Sequence, residues 1–251
     1  KSLYEICEAF KKLKKLEVLE FKNWINLDKI LARINILKKL RTLNLEGNIN
    51  LKKMHLKIKK ILKFKKLLFK NYKQMKIAQD AFEGLTSLNV LNISGCKQLE
   101  VACKNLKEIP LELKNLSNLE KLSFKNYKKI KIIHDVFERL PSLNFLDIDK
   151  CEQLKVFTNW KKLKIIHDAF EGLTSLNILS MGRCKQLEVV LKSFEHLTCL
   201  QELYFKDCIN LKKLDATYDR MKTLKILSFL GCENLERMLL RLKNLSKLKK
   251  L

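Results

Sequence analysis

The sequence is poor in the two residues that most often interrupt regular structure. Of its 251 residues, 6 are glycine and 2 are proline. So low a content excludes a collagen-like chain and a low-complexity disordered chain, and it favours regular elements joined by short loops. No apolar run reaches the roughly 20 residues that a transmembrane helix needs. The sequence therefore predicts densely packed regular structure and no membrane-spanning helix.

Motifs that mark common catalytic and metal sites are also missing. The sequence has no Cys-x-x-Cys pair of the kind that zinc sites use, and no Gly-x-x-x-x-Gly-Lys phosphate loop. An Ile-Ile-His-Asp phrase occurs twice, at His134 and His167, but the equivalent position of a third copy is Gln79. A general base needs a positioned partner and a pocket, so we interpret these histidines as structural. We predict a protein that is not an enzyme and has no cofactor or metal.

Acidic residues are about half as numerous as basic ones. Asp and Glu number 27 against 52 Lys and Arg, which gives a formal charge of +25. The 33 residues between Glu46 and Asp80 hold 11 lysines and no acid. This segment is either a patch for nucleic acid or an acidic membrane surface, or a solvated face rich in lysine. The candidate patch residues are Lys57, Lys59, Lys60, Lys63, Lys65, Lys66 and Lys70.

An internal repeat determines the fold class. The pattern Leu-x-x-Leu-x-apolar-x-x-Cys, seen at Leu88, Leu91, Ile93 and Cys96, occurs in five registers, and four weaker copies with another residue in the Cys position bring the total to nine. The registers begin at residues 16, 40, 64, 88, 119, 143, 176, 200 and 224, so the step is 24 except for one of 31 and one of 33. A repeat of this length and pattern is typical of leucine-rich-repeat proteins. We predict an α/β leucine-rich-repeat solenoid (horseshoe) with a parallel concave sheet and short helices or irregular segments on the convex side.

The repeats also predict the domain organisation. We expect residues 1–251 to form one solenoid of about nine full 24-residue repeats, with partial repeats at both ends and neighbouring sequence beyond them. The two long steps place insertions near 101–107 and 156–164. Short helices are predicted where Asp is followed by Glu three residues later, a helix-start pattern. These segments are 80–83, 135–138 and 168–171.

Positions within a repeat are numbered here from its first apolar residue, which is position 0. Because side chains alternate along a strand, positions +3 and +5 should point inward and +2 and +4 outward. Position +8, usually Cys, should turn inward and reach backbone groups. Trp24, Tyr72 and Tyr127 occupy it in three repeats, where we expect wider or locally rearranged turns. Since most cysteines share this one position, we predict reduced thiols and a cytoplasmic location, with the nucleus as the alternative.

The outward positions of the strands form the candidate binding face. Positions +1, +2, +4, +6 and +7 of the nine repeats hold 11 basic and 8 acidic residues, a net of +3, so most of the +25 lies elsewhere. Apolar residues in this face either contact a partner or pack against their neighbours. The candidates for contact with a protein ligand are Glu20, Asn44, Leu68, Asn92, Ser123, Phe145, Asp147, Ile178, Ser180, Tyr204 and Ser228.

Three phrases resemble the leucine-rich repeats of plant intracellular nucleotide-binding disease-resistance proteins, especially the subclass with a Toll-like domain. They are Leu-Asn-Val-Leu-Asn-Ile-Ser-Gly-Cys-Lys-Gln-Leu at 88–99, the segment 106–116, and Asp-Ala-Phe-Glu-Gly-Leu-Thr-Ser-Leu at 80–88 and 168–176. The proline of that family's convex segment is kept only at Pro110, and the lysine content is unusual.

The resemblance implies a function in innate immunity. It implies an array that senses a protein ligand on its concave face and holds a neighbouring nucleotide-binding domain inactive. The alternatives are a scaffold or the substrate-receptor domain of a ubiquitin ligase, or a polyanion-binding module that uses residues 47–79.

Overall fold

Short parallel strands dominate the fold. A computed structural model describes residues 3–24, 27, 31, 33–48, 53–54, 63–71, 75–77, 82, 84–95, 99–101, 113, 115–127, 137, 139–152, 170, 172–191, 194, 196–215, 221–235 and 245–251. Helix α1 spans Leu3–Lys12, and a 3-10 turn spans Ile34–Ile36. The strands are β1 (Val18–Glu20), β2 (Thr42–Asn44), β3 (Lys53–Met54), β4 (Lys66–Leu68), β5 (Met75–Ile77), β6 (Val90–Asn92), β7 (Leu99–Val101), β8 (Lys121–Ser123), β9 (Phe145–Asp147), β10 (Ile178–Ser180), β11 (Val189–Leu191), β12 (Glu202–Tyr204), β13 (Lys213–Asp215) and β14 (Ile226–Ser228). Among the residues described, no helix has the length and apolarity that a membrane crossing requires.

Nine of the strands form one parallel sheet, which confirms the predicted fold class. Their order is β1-β2-β4-β6-β8-β9-β10-β12-β14, so each strand comes from one of the nine predicted registers. Equivalent positions are paired throughout. The two long steps leave this register intact, since Val90 pairs with Lys121 and Phe145 pairs with Ile178. The predicted insertions near 101–107 and 156–164 lie outside the described residues, apart from Val101 at the end of β7.

Five repeats contain a second short strand after the strand of the main sheet, and these second strands form two smaller parallel sheets. They consist of β3-β5-β7 and β11-β13. The predicted short helices fall largely outside the described residues. Of each predicted segment, the structure describes the phenylalanine, namely Phe82, Phe137 and Phe170, and each of these lies in a turn or bend and is buried.

The inward positions build one continuous core. Positions 0, +3 and +5 of the central repeats, such as Leu176, Leu179 and Met181, are fully buried, as the alternation of the strand predicts. Behind them runs a row of phenylalanine rings. Centroids of Phe137 and Phe170 are 6.1 Å apart, and those of Phe170 and Phe194 are 5.6 Å apart. Since each repeat contacts mainly its neighbours, these rings link one repeat to the next.

The turn after each strand has the same backbone in all nine repeats. Position +7 has a positive φ in every case, at Asn23, Gly47, Asn71, Gly95, Asn126, Lys150, Arg183, Asp207 and Gly231. Gly, Asn and Asp tolerate this conformation best, and they occupy seven of the nine positions. In the first to eighth repeats the N–H of this residue donates to the +6 carbonyl of the next repeat, as from Gly95 to Lys125 at 2.7 Å. The hydrogen bonds between repeats thus continue past the end of the strand.

The +8 side chains fold back into the core, as predicted. The thiols of Cys151, Cys184, Cys208 and Cys232 each donate to a backbone carbonyl of the preceding repeat, at 3.5, 3.5, 3.1 and 3.0 Å. These four and Cys199 are free thiols. Burial raises the pKa of the Cys151 thiol to about 12. A neutral thiol is therefore the form that the core holds.

The prediction of wider turns at the aromatic +8 residues is wrong where it can be compared. The preceding residues, Asn23 and Asn126, have φ values of 59° and 62°, within the range of the other turns. The backbone is unchanged because the side chains adapt instead. Tyr127 is buried, whereas Trp24 stays 42% exposed with its ring edge-on to Phe21 at 4.9 Å. Tyr72 lies outside the described residues.

Candidate protein-binding surface

The eleven predicted contact residues all lie at outward positions of the nine-stranded sheet, but they differ in exposure. Glu20 is exposed, and eight are half-buried: Leu68, Asn92, Phe145, Asp147, Ile178, Ser180, Tyr204 and Ser228. Asn44 and Ser123 are only 4% and 6% exposed. These two are a correction to the predicted set, because so little of either side chain can contact a partner. The outward positions of the nine-stranded sheet, apart from Asn44 and Ser123, are called the recognition face below.

Position +4 stabilises the turn that follows it. The side-chain oxygens of Asn44, Asn92 and Asp147 accept hydrogen bonds from the backbone N–H two residues later, at 3.1, 3.0 and 3.1 Å. This is the local bond that Asn and Asp side chains make most readily in turns. Asn44 also donates to the Glu20 carboxylate at 3.1 Å, which holds the pKa of Glu20 below its usual value together with Lys22. These residues therefore shape the edge of the recognition face.

A polar network crosses the middle of this edge. The Asp149 carboxylate accepts hydrogen bonds from the Ser180 hydroxyl at 2.5 Å and from the Gly182 N–H at 2.7 Å, and it lies 3.2 Å from the Lys125 ammonium. Ser123 contacts Ser94 at 2.7 Å and donates to Asp147 at 3.3 Å. The network spans four consecutive strands, so it fixes the relative positions of the turns without using apolar contacts.

The carboxyl group of Asp147 has a raised pKa. Burial is the main cause, opposed by the hydrogen bond from the Asp149 N–H and reinforced by the Asp149 carboxylate. A raised pKa in the folded state means that ionised Asp147 destabilises the fold at neutral pH. The penalty is absent below the ordinary value of 3.8 and develops as the pH rises through the folded pKa.

We expect Asp147→Asn to be more stable than the wild type at pH 7, by about 0.5 kcal/mol after solvent screening. An asparagine can still accept the turn hydrogen bond, as Asn92 does in the same position. Urea unfolding at several pH values should show the difference vanish near pH 3. The control is Asp149→Asn, which loses the ion pair with Lys125 and should not be stabilising at pH 7. A gain for Asp147→Asn that persists at pH 3 would contradict the assignment.

Apolar side chains interrupt the polar recognition face at position +2. Phe145 and Ile178 are paired neighbours on β9 and β10, and Ile226 follows two strands later on β14. All three are half-buried, so part of each side chain packs on the sheet and part faces solvent. The packing expected from the sequence is therefore present in part, and contact with a partner stays a prediction. The free portions form an apolar strip, defined here as Phe145, Ile178 and Ile226.

One acidic residue interrupts the apolar strip. Glu202 lies at position +2 of β12, between Ile178 and Ile226. It accepts a hydrogen bond from the Tyr204 hydroxyl at 2.8 Å. Burial and this bond raise the pKa of Tyr204 to about 12, so the hydroxyl keeps its proton at neutral pH. Glu202 was missing from the predicted contact set, although its +2 position in the repeat identifies it as an outward residue.

The basic segment is only partly described. Lys63, Lys65 and Lys66 are exposed, and within the described part of the chain none of them has an acidic partner. Lys70 is half-buried, with its ammonium 4.0 Å from the Glu46 carboxylate. Lys57, Lys59 and Lys60 lie outside the described residues. The described lysines of the predicted patch therefore lie just before, in and just after β4.

Sequence reasoning missed the common backbone of position +7. Its signal was present, because Asn, Gly or Asp stands at this position in seven of nine repeats. Among the described residues, no group of three or more histidine, cysteine or acidic side chains is arranged to hold a metal ion. The described outward positions of the sheet carry apolar side chains, amides, hydroxyls and charged groups.

Comparison with known proteins agrees with this architecture. No family model and no curated protein matches the sequence. Among solved structures, the leucine-rich-repeat domain of the type III effector XopL is similar with a TM-score of 0.69 and 19% identity, over 88% of this chain and 71% of that one.

Two further solved structures are similar. The leucine-rich-repeat protein LIC12759 of Leptospira interrogans has a TM-score of 0.55 and 22% identity, over 100% of this chain and 69% of that one. Internalin C2 of Listeria monocytogenes has a TM-score of 0.54 and 17% identity, over 97% of this chain and 81% of that one. At such identities the likeness shows the fold alone, and the chain has the leucine-rich-repeat fold.

Proposed function

We propose that the chain is a non-catalytic recognition array that binds a protein ligand on its recognition face. The observation that carries the proposal is the apolar strip on the sheet face, bordered at position +1 by the amides of Asn144, Asn177 and Gln201. An apolar group framed by polar groups is the usual composition of a protein interface. Phe145 and Ile178 are already partly packed on the sheet. Their side chains therefore lose little conformational entropy when a ligand covers them.

The proposal is tested by comparing two isoleucines. Ile178 lies in the apolar strip, and Ile209 is 40% exposed in the turn region after β12. We expect Ile178→Ala to weaken selected ligands at least tenfold, and Ile209→Ala to change their affinity less than about twofold, because hot spots lie within the interface. Ligands would be selected with a display library that tiles the proteome of the source organism and measured by surface plasmon resonance.

The control for this experiment is a check that both variants fold as the wild type does. Both variants should retain the circular dichroism spectrum and cooperative unfolding of the wild type, so that lost binding is not lost structure. Equal effects of the two substitutions, or none for Ile178→Ala, would contradict binding through the recognition face.

The resemblance of the repeats supports a finer assignment. We propose that the array belongs to an intracellular innate immune receptor of the plant disease-resistance type, in the cytoplasm or nucleus. There it would sense a ligand and hold a nucleotide-binding domain inactive, through contacts that differ between the resting and active states. The phrases at 80–88, 88–99 and 106–116 carry this assignment. Sequencing the full gene tests it: a phosphate-loop ATPase domain supports the receptor, whereas an F-box-like helical domain supports a ubiquitin-ligase arm.

A second candidate function rests on the exposed lysines at and before β4. Lys63, Lys65 and Lys66 have no acidic partner in the described part of the chain, so they are free to contact phosphates of nucleic acid or of an acidic membrane. Such binding depends on salt because it releases counterions.

We expect the Lys63→Gln, Lys65→Gln, Lys66→Gln triple variant to bind duplex DNA with a smaller salt dependence. If each lysine neutralises one phosphate, the slope of log K against log salt should decrease by about 2.7. Fluorescence titration between roughly 50 and 200 mM salt measures this slope. Liposomes containing phosphatidylserine test binding to an acidic membrane in the same way. The matched control replaces Lys39, Lys212 and Lys222, which are exposed elsewhere. Equal slopes for the two triple variants would remove this candidate.

A further inference from the structure

Glu202 is a carboxylate on the recognition face that has no cationic partner in the described part of the chain. Its Oε2 accepts a hydrogen bond from the Tyr204 hydroxyl at 2.8 Å. Among the described residues, no lysine or arginine lies within ion-pair distance of it, and Oε1 makes no hydrogen bond. An ionised group that is partly removed from water is costly unless it is paired.

Most other carboxylates of the same face are paired. Of the 8 acidic residues at outward positions, five have a lysine or arginine within 4.0 Å. The pairs are Glu17–Arg41, Glu20–Lys22, Glu46–Lys70, Asp149–Lys125 and Asp207–Arg183. Glu120 accepts a hydrogen bond from the Asn89 amide, and Asp147 accepts bonds from Ser123 and a backbone N–H. Glu202 differs from all of them because its only described partner is a phenol.

The surroundings of Glu202 are apolar on two sides and open on a third. In the sheet it is paired with Ile178 on one side and Ile226 on the other. Tyr204, two residues later on the same face, is flanked in register by Ser180 and Ser228. The serines are small, so they leave space beside the ring of Tyr204, and all six side chains are half-buried. The site therefore combines an acid, an aromatic face and two aliphatic walls.

We propose that the Glu202–Tyr204 pair receives an arginine side chain of the protein ligand. The inference rests on the proposed function and specifies the ligand chemistry at this point of the face. The methylenes of the arginine would lie against Ile178 and Ile226, as long cationic side chains do on apolar surface. Its guanidinium would donate to the carboxylate of Glu202 and stack beside Tyr204. Arginine fits better than lysine because its planar fork binds carboxylates with two bonds and stacks on aromatic rings.

The occupant is tested with nonapeptides that differ only at their central residue. The probes are acetylated, amidated peptides with arginine, citrulline, lysine or glutamate at the centre and mixed neutral residues elsewhere. Citrulline has the shape of arginine without its charge. Binding of the wild-type chain, Glu202→Gln, Glu202→Lys and Tyr204→Phe would be measured by fluorescence anisotropy. The matched control is Glu233→Gln, an exposed carboxylate in the turn after β14.

For the wild type and the control variant we expect the arginine peptides to bind at least tenfold more tightly than the citrulline peptides. Glu202→Gln should bring that ratio close to one. Glu202→Lys should favour the glutamate peptides, because it reverses the charge of the site. Tyr204→Phe should reduce the ratio by a smaller factor, since the carboxylate loses the hydrogen bond that positions it.

Three results would overturn the inference. The first is equal binding of arginine and citrulline peptides by the wild type. The second is an arginine preference that survives Glu202→Gln, which would place the cation elsewhere. The third is self-association of the chain in sedimentation velocity that Glu202→Gln abolishes, which would make a second copy the occupant. The proposed function fails separately, if ligand binding does not respond to Ile178→Ala.

Discussion

Phe170→Ala is expected to lower the free energy of unfolding by about 4 kcal/mol. The ring of Phe170 is fully buried and lies between two other phenylalanines, with centroids 6.1 Å from Phe137 and 5.6 Å from Phe194. Its removal leaves a cavity where three repeats meet. Because repeat proteins derive their stability from contacts between neighbours, the loss weakens the junctions on both sides. Urea denaturation followed by circular dichroism measures the effect.

The matched control is Phe145→Ala, the same truncation on the recognition face. Phe145 is half-buried, so the substitution exposes less apolar surface and leaves no enclosed cavity. We expect a loss of about 1 kcal/mol there. Similar losses for the two variants would mean that the row of phenylalanines is not the core that the structure describes. Separation of the transition into two steps in Phe170→Ala would show that the junction is weakened locally.

Asn48→Ala should cost about 3 kcal/mol. Asn48 is fully buried at position +8 of the second repeat. Its amide donates to the carbonyl of Leu45 at 2.5 Å and to that of Phe21, and its oxygen accepts a hydrogen bond from the backbone N–H of Trp24 at 2.6 Å. Alanine leaves these backbone groups buried without partners, and an unsatisfied buried group loses its full solvation. Thermal and urea unfolding would measure the loss.

Two further variants make the Asn48 result specific. Asn234→Ala removes one hydrogen bond, from the side-chain amide to the carbonyl of Ile209. The site is exposed, so water can replace this bond, and the substitution should cost less than about 1 kcal/mol. Asn48→Cys should recover part of the loss, since a thiol at this position of other repeats donates to the equivalent carbonyl. A loss for Asn48→Ala no larger than that for Asn234→Ala would refute the anchoring role of this amide.

The strands and the core could be predicted because the repeat supplies the same information nine times. A single Leu-x-x-Leu pattern is ambiguous, but its recurrence at a step of 24 fixes which residues pair across the sheet. Alternation along each strand then assigns Leu179 to the core and Ser180 to the face, and the structure agrees. Alternation determines only the side from which a side chain leaves the sheet.

The details of the candidate surface could not be predicted in the same way. The side chains of Asn44 and Ser123 project from the outward side of the sheet. Hydrogen bonds to neighbouring side chains and to the following turn nevertheless keep them buried. The turns at Trp24 and Tyr127 keep a common backbone because the hydrogen bonds between repeats constrain it more strongly than the side chain does. The repeat pattern places Glu202 on the outward side but does not specify which carboxylates lie near a cation, because that depends on side-chain positions in the folded chain.

The constant register of the sheet has a consequence for how such a surface can diversify. Steps of 24, 31 and 33 residues all end in the same strand pairing, so a whole unit can be lost or gained without altering the geometry of the remaining ones. Loss of residues 200–223, one 24-residue unit, would set Ile178 beside Ile226 and remove Glu202 and Tyr204 together. Unequal recombination between repeats can thus exchange one ligand preference for another in a single step, while the scaffold stays the same.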